Sequence, residues 1–308
     1  METITKVENK YIISNKLVGL RLDKALTLLE ENYSRVYFSN LIKNGFVTVN
    51  GKQISPSYKV LENDEVHVVF KVREQDELLK PMEYKLKIVY EDDDVLIIDK
   101  PQGLVVHPSA GHWDDTLVNA LIYNKKQLST LNGINRVGIV HRIDKDTSGL
   151  LLICKNDYAH NFIAEQLKDH TMHREYIALV CGVIPNGKGK IIAPIGRNKE
   201  NRMKMTVDIV NGKDAITYFK VLKRYQNYTL IDCKLETGRT HQIRVHMEYF
   251  NHPIVGDNLY GKNNCALYSK GQLLHAYRLT FIHPTTKKEV TVEAPLPQYF
   301  KDIIENLK

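Results

Sequence analysis

The stretch VHRIDKDTSGLLL, residues 140–152, decides how the centre of this chain is organised. Its polar middle lies between two apolar runs, residues 137–140 and residues 150–154, which both predict short buried strands. A Thr-Ser-Gly run before the second strand supplies turn chemistry. Asp144 would therefore lie on a loop held by rigid strands, where catalytic groups are often found. An aspartate beside an arginine in a polar loop is more commonly a turn cap or a structural ion pair, so this stretch alone does not assign a role.

The composition is that of a folded, basic protein. The 308 residues carry a formal net charge of +7 and are 43% hydrophobic, which allows one large core and a small accessory domain. No apolar run approaches the roughly 20 residues that cross a bilayer, and the N-terminus lacks the apolar core of a signal peptide. We therefore expect a cytoplasmic protein without membrane contact. The positive charge favours a polyanionic partner.

Residues 14–73 predict a small α+β domain. Apolar spacing indicates a first helix, and Ser34 is the expected N-cap of a second helix that ends at Gly45. The Asn50-Gly51 pair is a hairpin signal, and an alternating strand follows it. The segment holds nine Lys or Arg and six Asp or Glu, so it carries a modest positive charge.

A polar segment at residues 74–85 predicts a linker, and residues 86–308 predict a second, larger domain. Its strands are predicted at 86–90, 95–98, 137–140, 150–154, 176–181, 203–210, 216–222 and 228–235, and its helices at 116–123, 158–167, 241–250 and 298–307. The Asn211-Gly212 pair adds a hairpin signal. The expected fold class is α+β, with a mainly antiparallel mixed sheet and flanking helices.

Further blocks follow the first stretch in a fixed order: REYIALV at 174–180, APIGR at 193–197, GRTHQIRVH at 238–246 and LHA at 274–276. With these blocks the chain resembles the RluA family of pseudouridine synthases over nearly its whole length. The resemblance is closest to the RluD-type branch, which acts on large-subunit ribosomal RNA. In the small domain, the strings RLDKAL, GFVTVNG and NDEVHV resemble the alpha-L RNA-binding motif.

The resemblance implies a pseudouridine synthase-like catalytic fold and the isomerisation of specific uridines in large-subunit (23S-type) ribosomal RNA. The reaction breaks the bond between N1 and the ribose, turns the base and rejoins it through C5, without net redox change. We therefore expect no cofactor and no metal. The reaction requires a carboxylate, a cation that keeps it ionised and a pocket for a flipped base. Ribosomal RNA, in the large subunit or its assembly intermediates, is the implied partner, and no protein partner is implied.

The same resemblance implies the catalytic residues. Asp144 is the implied carboxylate, which either adds covalently to the sugar or base or removes a ribose proton. Arg244 is its implied cationic partner, and an arginine can hold a carboxylate without losing its own charge. Tyr176 is the implied ring that stacks on the flipped uracil.

Other substrate contacts are also implied by the resemblance. Leu274 would line the apolar floor of the pocket, Arg142 would fill the gap left by the extruded nucleotide, and Arg239 would contact phosphate. His141 would form part of the pocket wall. The implied RNA-binding residues of the alpha-L motif are Arg21, Lys24, Arg35, Lys43 and Lys52.

Three other interpretations fit the sequence less well. A catalytically inactive RNA-binding or ribosome assembly protein is disfavoured because Asp144, Tyr176 and Arg244 occur together. A hydrolase lacks a Ser or Cys nucleophile motif. A metal site is disfavoured because His241 and His246 are five residues apart and do not share a helix face as an i, i+4 zinc pair does. The four cysteines likewise show no CxxC spacing, as a zinc ribbon would.

Overall fold

The computed structural model describes residues 4–30, 35–73, 79–109, 111–124, 127–261 and 267–308. Contacts divide the chain into two compact units, Met1–Leu79 and Lys80–Lys308. Within the described ranges, every helix is too short or too polar to cross a membrane.

The described part of the first unit is a four-stranded antiparallel sheet with two helices. Its elements are β1 (Ile4–Ile12), α1 (Leu22–Leu29), α2 (Arg35–Lys43), β2 (Val47–Val49), β3 (Lys52–Gln53) and β4 (Glu65–Arg73). The strand order is β1-β4-β2-β3. The helices bury Leu22, Leu26 and Phe38 against the sheet, because apolar residues recur at helical spacing and form one face.

The glycine and hairpin signals of this unit are confirmed. Gly45 follows α2 with φ +77, and Asn50 and Gly51 also have positive φ in the turn between β2 and β3, as a primed hairpin turn requires. The expected cap Ser34 lies outside the described residues. The sequence did not predict β1, whose apolar residues do not alternate, although it pairs with β4 along its full length.

The second unit has one large sheet in its described part. Its elements are β5 (Ile88–Glu91), β6 (Val95–Lys100), α3 (Leu117–Asn124), β7 (Ser148–Cys154), α4 (Asp157–Lys168), β8 (His173–Cys181), β9 (Lys188–Ile192), β10 (Ile195–Arg197), β11 (Met205–Val207), β12 (Ile216–Arg224), β13 (Tyr228–Leu235), α5 (Gln242–Tyr249), β14 (Leu274–Ile282), β15 (Glu289–Glu293) and α6 (Gln298–Glu305). The sheet order is β5-β6-β7-β14-β8-β13-β12-β9, with β15 beside β14, and β10 pairs with β11 separately.

Helices cover this sheet through apolar contacts. Ala159 and Ile163 of α4 belong to one buried cluster with residues of β6, β7 and β14, and Phe300 of α6 packs with Ile177 and Leu179 of β8. The pairing of β14 with β7 is parallel, while the other described pairs of the sheet are antiparallel. The predicted α+β class and all four helices of this unit are confirmed.

The strand predicted at residues 137–140 is wrong. This segment is a turn with one isolated bridge, Ile139 to Ile153. Gly138 has φ +69, and its amide donates to the carbonyl of Ser129, while its own carbonyl accepts from the amide of Cys154. The apolar residues are therefore buried against β7 by a turn, and a buried turn has the same hydrophobic run as a short strand.

The hairpin predicted at Asn211-Gly212 is also wrong. The pair lies in a turn that the amide of Gly212 closes by donating to the carbonyl of Asp208. The strands on either side do not pair with each other, because β11 pairs with β10 and β12 pairs with β9 and β13. The strand predicted at 203–210 shortens to Met205–Val207, because the turn closed by Gly212 begins at Asp208.

The segment predicted as a linker is anchored at its C-terminal end. Asn119 of α3 donates its side-chain amide to the carbonyl of Lys80 at 2.9 Å, and the amide of Met82 donates to the carbonyl of Asn119 at 3.0 Å. Asn124 holds the carbonyl of Tyr84 at 2.8 Å. The domain limits 14–73, 74–85 and 86–308 stay a prediction.

Candidate active site

The parallel contact between β7 and β14 positions the loop that carries Asp144. Gly149 pairs with Ala276 at the start of β7, and it has φ +109. A Cβ atom at Gly149 would overlap the carbonyl oxygen of Ala276, so only glycine allows this approach. Asp144 lies just before β7, and the same contact places Leu274, the first residue of β14, beside that loop.

Asp144 and Arg244 form an ion pair. Arg244 Nη1 donates to Asp144 Oδ2 at 2.8 Å, and the two side chains are 9% and 16% exposed, respectively. The other edge of the guanidinium binds Asp257 with two hydrogen bonds, Nε to Oδ2 at 2.7 Å and Nη2 to Oδ1 at 2.9 Å. Asp257 therefore fixes the orientation from which Arg244 reaches Asp144.

The surroundings of Asp144 favour its anion. Burial is the largest influence and would raise the pKa of Asp144, but the charges of His241, Arg244 and Arg142 and the hydrogen bond from Arg244 together lower that pKa below its usual value. The pKa of His241 is itself lowered, mainly by burial. Arg244 is therefore the nearest cation that persists at neutral pH, and Asp144 is ionised there.

His241 has a fixed orientation beside the same carboxylate. Its Nε2 lies 3.8 Å from Asp144 Oδ1, and its Nδ1 lies 2.8 Å from Tyr260 Oη. Tyr260 Oη also accepts from the amide of Met205 at 2.7 Å. These contacts hold the imidazole ring with Nε2 facing Asp144.

The residues that the resemblance implied for the larger domain line a single cavity of about 480 Å³. They are Asp144, Tyr176, Arg244, His141, Arg142, Leu274 and Arg239. Tyr176 is 5% exposed, and burial raises the pKa of its hydroxyl, which keeps the phenol neutral. Leu274 pairs with Ala178 across the boundary of β14 and β8.

Three of these side chains have further contacts. Arg142 is exposed at the cavity and donates from Nη1 to His107 Nε2 at 3.3 Å. His141 accepts the amide of Leu152 on Nε2 at 3.1 Å. Arg239 donates from Nε to the carbonyl of Asp214 at 2.9 Å.

Asp257 and Tyr260 were missed by sequence reasoning. Both lie in a turn-rich stretch, and Asp257 Oδ1 accepts the amides of Leu259 and Tyr260. Such a pattern is typical of an aspartate that closes a turn. No local signal indicates that its carboxylate also binds Arg244.

Histidines inside the motif blocks hold the fold. His246 Nδ1 lies 2.9 Å from Thr217 Oγ1, and its Nε2 lies 2.9 Å from the carbonyl of Ala193. His275 Nδ1 lies 2.9 Å from Ser148 Oγ. Within the described ranges, no group of three or more His, Cys, Asp or Glu is arranged to hold a metal ion.

The basic residues implied for RNA binding lie in the first unit. Arg21 and Arg35 meet at the buried carboxylate of Asp23, with closest N–O distances of 2.8 and 3.3 Å. Lys24, Lys43 and Lys52 are exposed. These three lysines have no ion-pair partner in the part of the chain that the structure describes.

Comparisons with known proteins agree with this geometry. Residues 94–249 match the family model described as RNA pseudouridylate synthase, and residues 20–66 match the S4 domain. A Bacillus subtilis protein named uncharacterized RNA pseudouridine synthase YlyB is 49% identical over 289 residues, which is 94% of each chain. Ribosomal large subunit pseudouridine synthase D of Neisseria meningitidis serogroup A is 44% identical over 95% of this chain and 80% of the relative. The solved structure of human RNA pseudouridylate synthase domain containing 1 has a TM-score of 0.56 and 28% identity, covering 70% of this chain and 84% of that one.

Proposed function

The chain belongs to the RNA pseudouridylate synthase family and is an RNA pseudouridine synthase, and we propose that it converts specific uridines of large-subunit ribosomal RNA to pseudouridine. The contact of 2.8 Å between Asp144 and Arg244, in a cavity that Tyr176 also lines, carries this proposal. The ribosomal substrate is supported by the name of the Neisseria relative and by the S4 domain match.

The reaction breaks the bond between N1 and C1′ of the uridine and forms a bond between C5 and C1′. The proton on C5 is released, and N1 gains one, so atoms and electrons balance without an oxidant or reductant. Asp144 is the group that acts at the ribose or the base, and its ionisation at neutral pH suits either route. Arg244 fixes the position and the charge of that carboxylate.

The cavity must accept a base that has left its stack. Tyr176 offers a ring face for the uracil, and Leu274 supplies the apolar floor. Arg142, exposed at the cavity, takes the place of the extruded nucleotide in the RNA. Arg239 and His141 contact the RNA beside the flipped base.

The first unit provides additional RNA contacts. Arg21, Lys24, Arg35, Lys43 and Lys52 bind phosphates there, and such contacts strengthen binding without reading sequence. The larger unit therefore carries out the chemical step, and the smaller unit increases the affinity for RNA.

Tritium release tests the function directly. Ribosomal RNA labelled with tritium at C5 of uridine should release tritium to water when the purified protein is added, because C5 exchanges its hydrogen for the bond to C1′. Comparison of pseudouridine positions in ribosomal RNA from strains with and without the protein should then identify the target uridines. Tight RNA binding without tritium release from any large-subunit RNA would favour the alternative of an inactive assembly protein.

A further inference from the structure

A buried arginine in the same cavity has no counter-charge among the described residues. Arg174, the second residue of β8, is 7% exposed. Among the described residues no carboxylate lies within ion-pair distance of it, and its buried Nε has no hydrogen-bond partner. By contrast, Arg244 in the same cavity contacts two carboxylates.

A second buried donor, which also has no partner among the described residues, lies near Arg174. His141 uses Nε2 to accept the amide of Leu152. Burial and the charge of Arg174 lower the pKa of His141 to about 3, so the ring is neutral and its proton lies on Nδ1. This Nδ1 is buried and has no partner in the described part of the chain. Both groups line the cavity that holds Asp144.

The position of Arg174 is fixed by its neighbours. Its guanidinium packs on the backbone of Gly238, where a Cβ atom would overlap Nη1. Arg174 also precedes Tyr176 by two residues on β8, so the two side chains project from the same face of the strand about 7 Å apart along it. This separation is comparable to the reach from a nucleobase across its ribose to a flanking phosphate.

A buried ion without a counter-charge reduces the stability of a folded protein substantially. Buried donors without acceptors add to that penalty. An anionic ligand in the cavity removes both penalties. Arginine presents a planar fork of donors that matches phosphate oxygens, and a phosphodiester is the anion that an RNA substrate brings.

We propose that Arg174 and His141 form the binding site for a backbone phosphate next to the uridine that stacks on Tyr176. This proposal rests on the proposed function, because it requires the target uridine in the same cavity. The site fixes the nucleotide through its backbone, while Tyr176 and Leu274 contact the base. It also gives a chemical reason for an arginine that no described protein group neutralises.

The experiment uses an RNA hairpin that carries a mapped target uridine, with a neutral methylphosphonate in place of the phosphate on its 5′ or its 3′ side. Wild-type protein should lose about tenfold to a hundredfold in affinity for one of these two RNAs, because a charge-assisted hydrogen bond is lost. Arg174→Gln should lose affinity for the unmodified RNA by a similar factor, and its salt slope should fall by about 0.7. The affinity of the Arg174→Gln variant for RNA should then be unaffected by the methylphosphonate that lowers the affinity of the wild type.

Arg224→Gln is the matched control. Arg224 is an exposed arginine of β12 whose guanidinium binds the carbonyls of Ile184 and Pro185. This variant should lose no more than the small affinity that any single surface charge provides, and it should keep the methylphosphonate effect. Arg174→Met should raise or preserve the melting temperature, because it removes an uncompensated buried charge.

The outcomes separate this site from the function itself. If wild-type protein converts the uridine but binds both methylphosphonate RNAs as tightly as the unmodified RNA, the phosphate site is refuted and the enzyme assignment stands. If Arg174→Met lowers the melting temperature while RNA affinity is unchanged, Arg174 is structural and the proposal is also refuted. If wild-type protein converts no uridine in any RNA, the proposed function itself fails.

Discussion

At Asp144, burial and neighbouring charge act in opposite directions, and the charges outweigh burial. Arg244 is bound to Asp257 through two hydrogen bonds that do not involve Asp144. The carboxylate of Asp144 is therefore not required to neutralise Arg244, and it is available for chemistry. The same arrangement means that loss of the Asp144 charge leaves no unpaired arginine.

Asp144→Asn should abolish pseudouridine formation while folding and RNA binding stay near normal. The amide keeps the shape of the side chain but can neither act as a nucleophile nor remove a proton. A single-turnover assay with excess enzyme measures the chemical step, and filter binding measures affinity. Asp99→Asn, which removes a carboxylate paired with Lys87, is the control that should stay active. Measurable turnover by Asp144→Asn would remove Asp144 from its role.

Arg244→Ala should slow the chemical step by about a hundredfold or more, because the carboxylate loses its alignment. It should also change the pH profile. The pKa of Asp144 is lowered in the native enzyme by nearby cations that outweigh burial, so activity falls only when pH drops through that lowered value. Without Arg244 burial is less opposed, the pKa rises, and the acid limb of the single-turnover rate must move to higher pH. A variant whose rate falls with no shift of the acid limb would show that Arg244 does not hold Asp144 ionised.

At the scale of elements, the site depends on the close approach of β7 and β14. Gly149→Ala should destabilise the protein by about 2–4 kcal/mol, because the added methyl meets the backbone of Ala276 and the residue keeps a positive φ. Urea unfolding monitored by circular dichroism gives the change in free energy. Gly187→Ala is the matched control, since no heavy atom lies near its Cβ position and its φ is not positive. Equal unfolding midpoints for the two variants would mean that β7 and β14 tolerate a wider separation.

The elements that were predicted share a local signal, and the missed ones depend on distant partners. Strands such as β7, β8 and β13 are apolar runs that need no context. In contrast, β14 places His275 beside Ser148 and Arg278 beside Glu175. These contacts join chain segments more than 100 residues apart, so the local sequence of β14 does not indicate a buried strand. At residues 137–140 the error was the opposite one, since a strand was predicted where the apolar residues are buried in a turn.

The same distinction applies to the site. Asp144, Tyr176 and Arg244 could be selected because their motif blocks resemble a known family, and the cavity contains all three. Asp257 and Arg174 could not be assigned from sequence. Asp257 looks like a turn residue. Arg174 is notable because it has no counter-charge among the described residues, and only the three-dimensional structure reveals this.

At the scale of the whole molecule, chemistry and RNA affinity are assigned to different units. Every residue proposed for catalysis belongs to Lys80–Lys308, whereas the five basic residues proposed for RNA binding belong to Met1–Leu79. The larger unit contains its own core clusters. Its first residues are anchored on α3 through Asn119, so a fragment that keeps them retains these contacts.

A fragment of residues 79–308 should fold, bind RNA more weakly than the full chain and keep its chemical rate at saturating RNA. Its salt dependence should also flatten, by about 0.7 in log K against log salt for each single-stranded phosphate contact that is lost. Binding at several salt concentrations and single-turnover rates are measured separately. The full chain with Lys24→Gln, Lys43→Gln and Lys52→Gln is the matched comparison, because these exposed lysines have no ion-pair partner among the described residues. That variant should reproduce part of the loss in affinity and slope without removing any element. If the fragment and the full chain have equal affinity and equal salt slope, the first unit does not bind RNA in this protein.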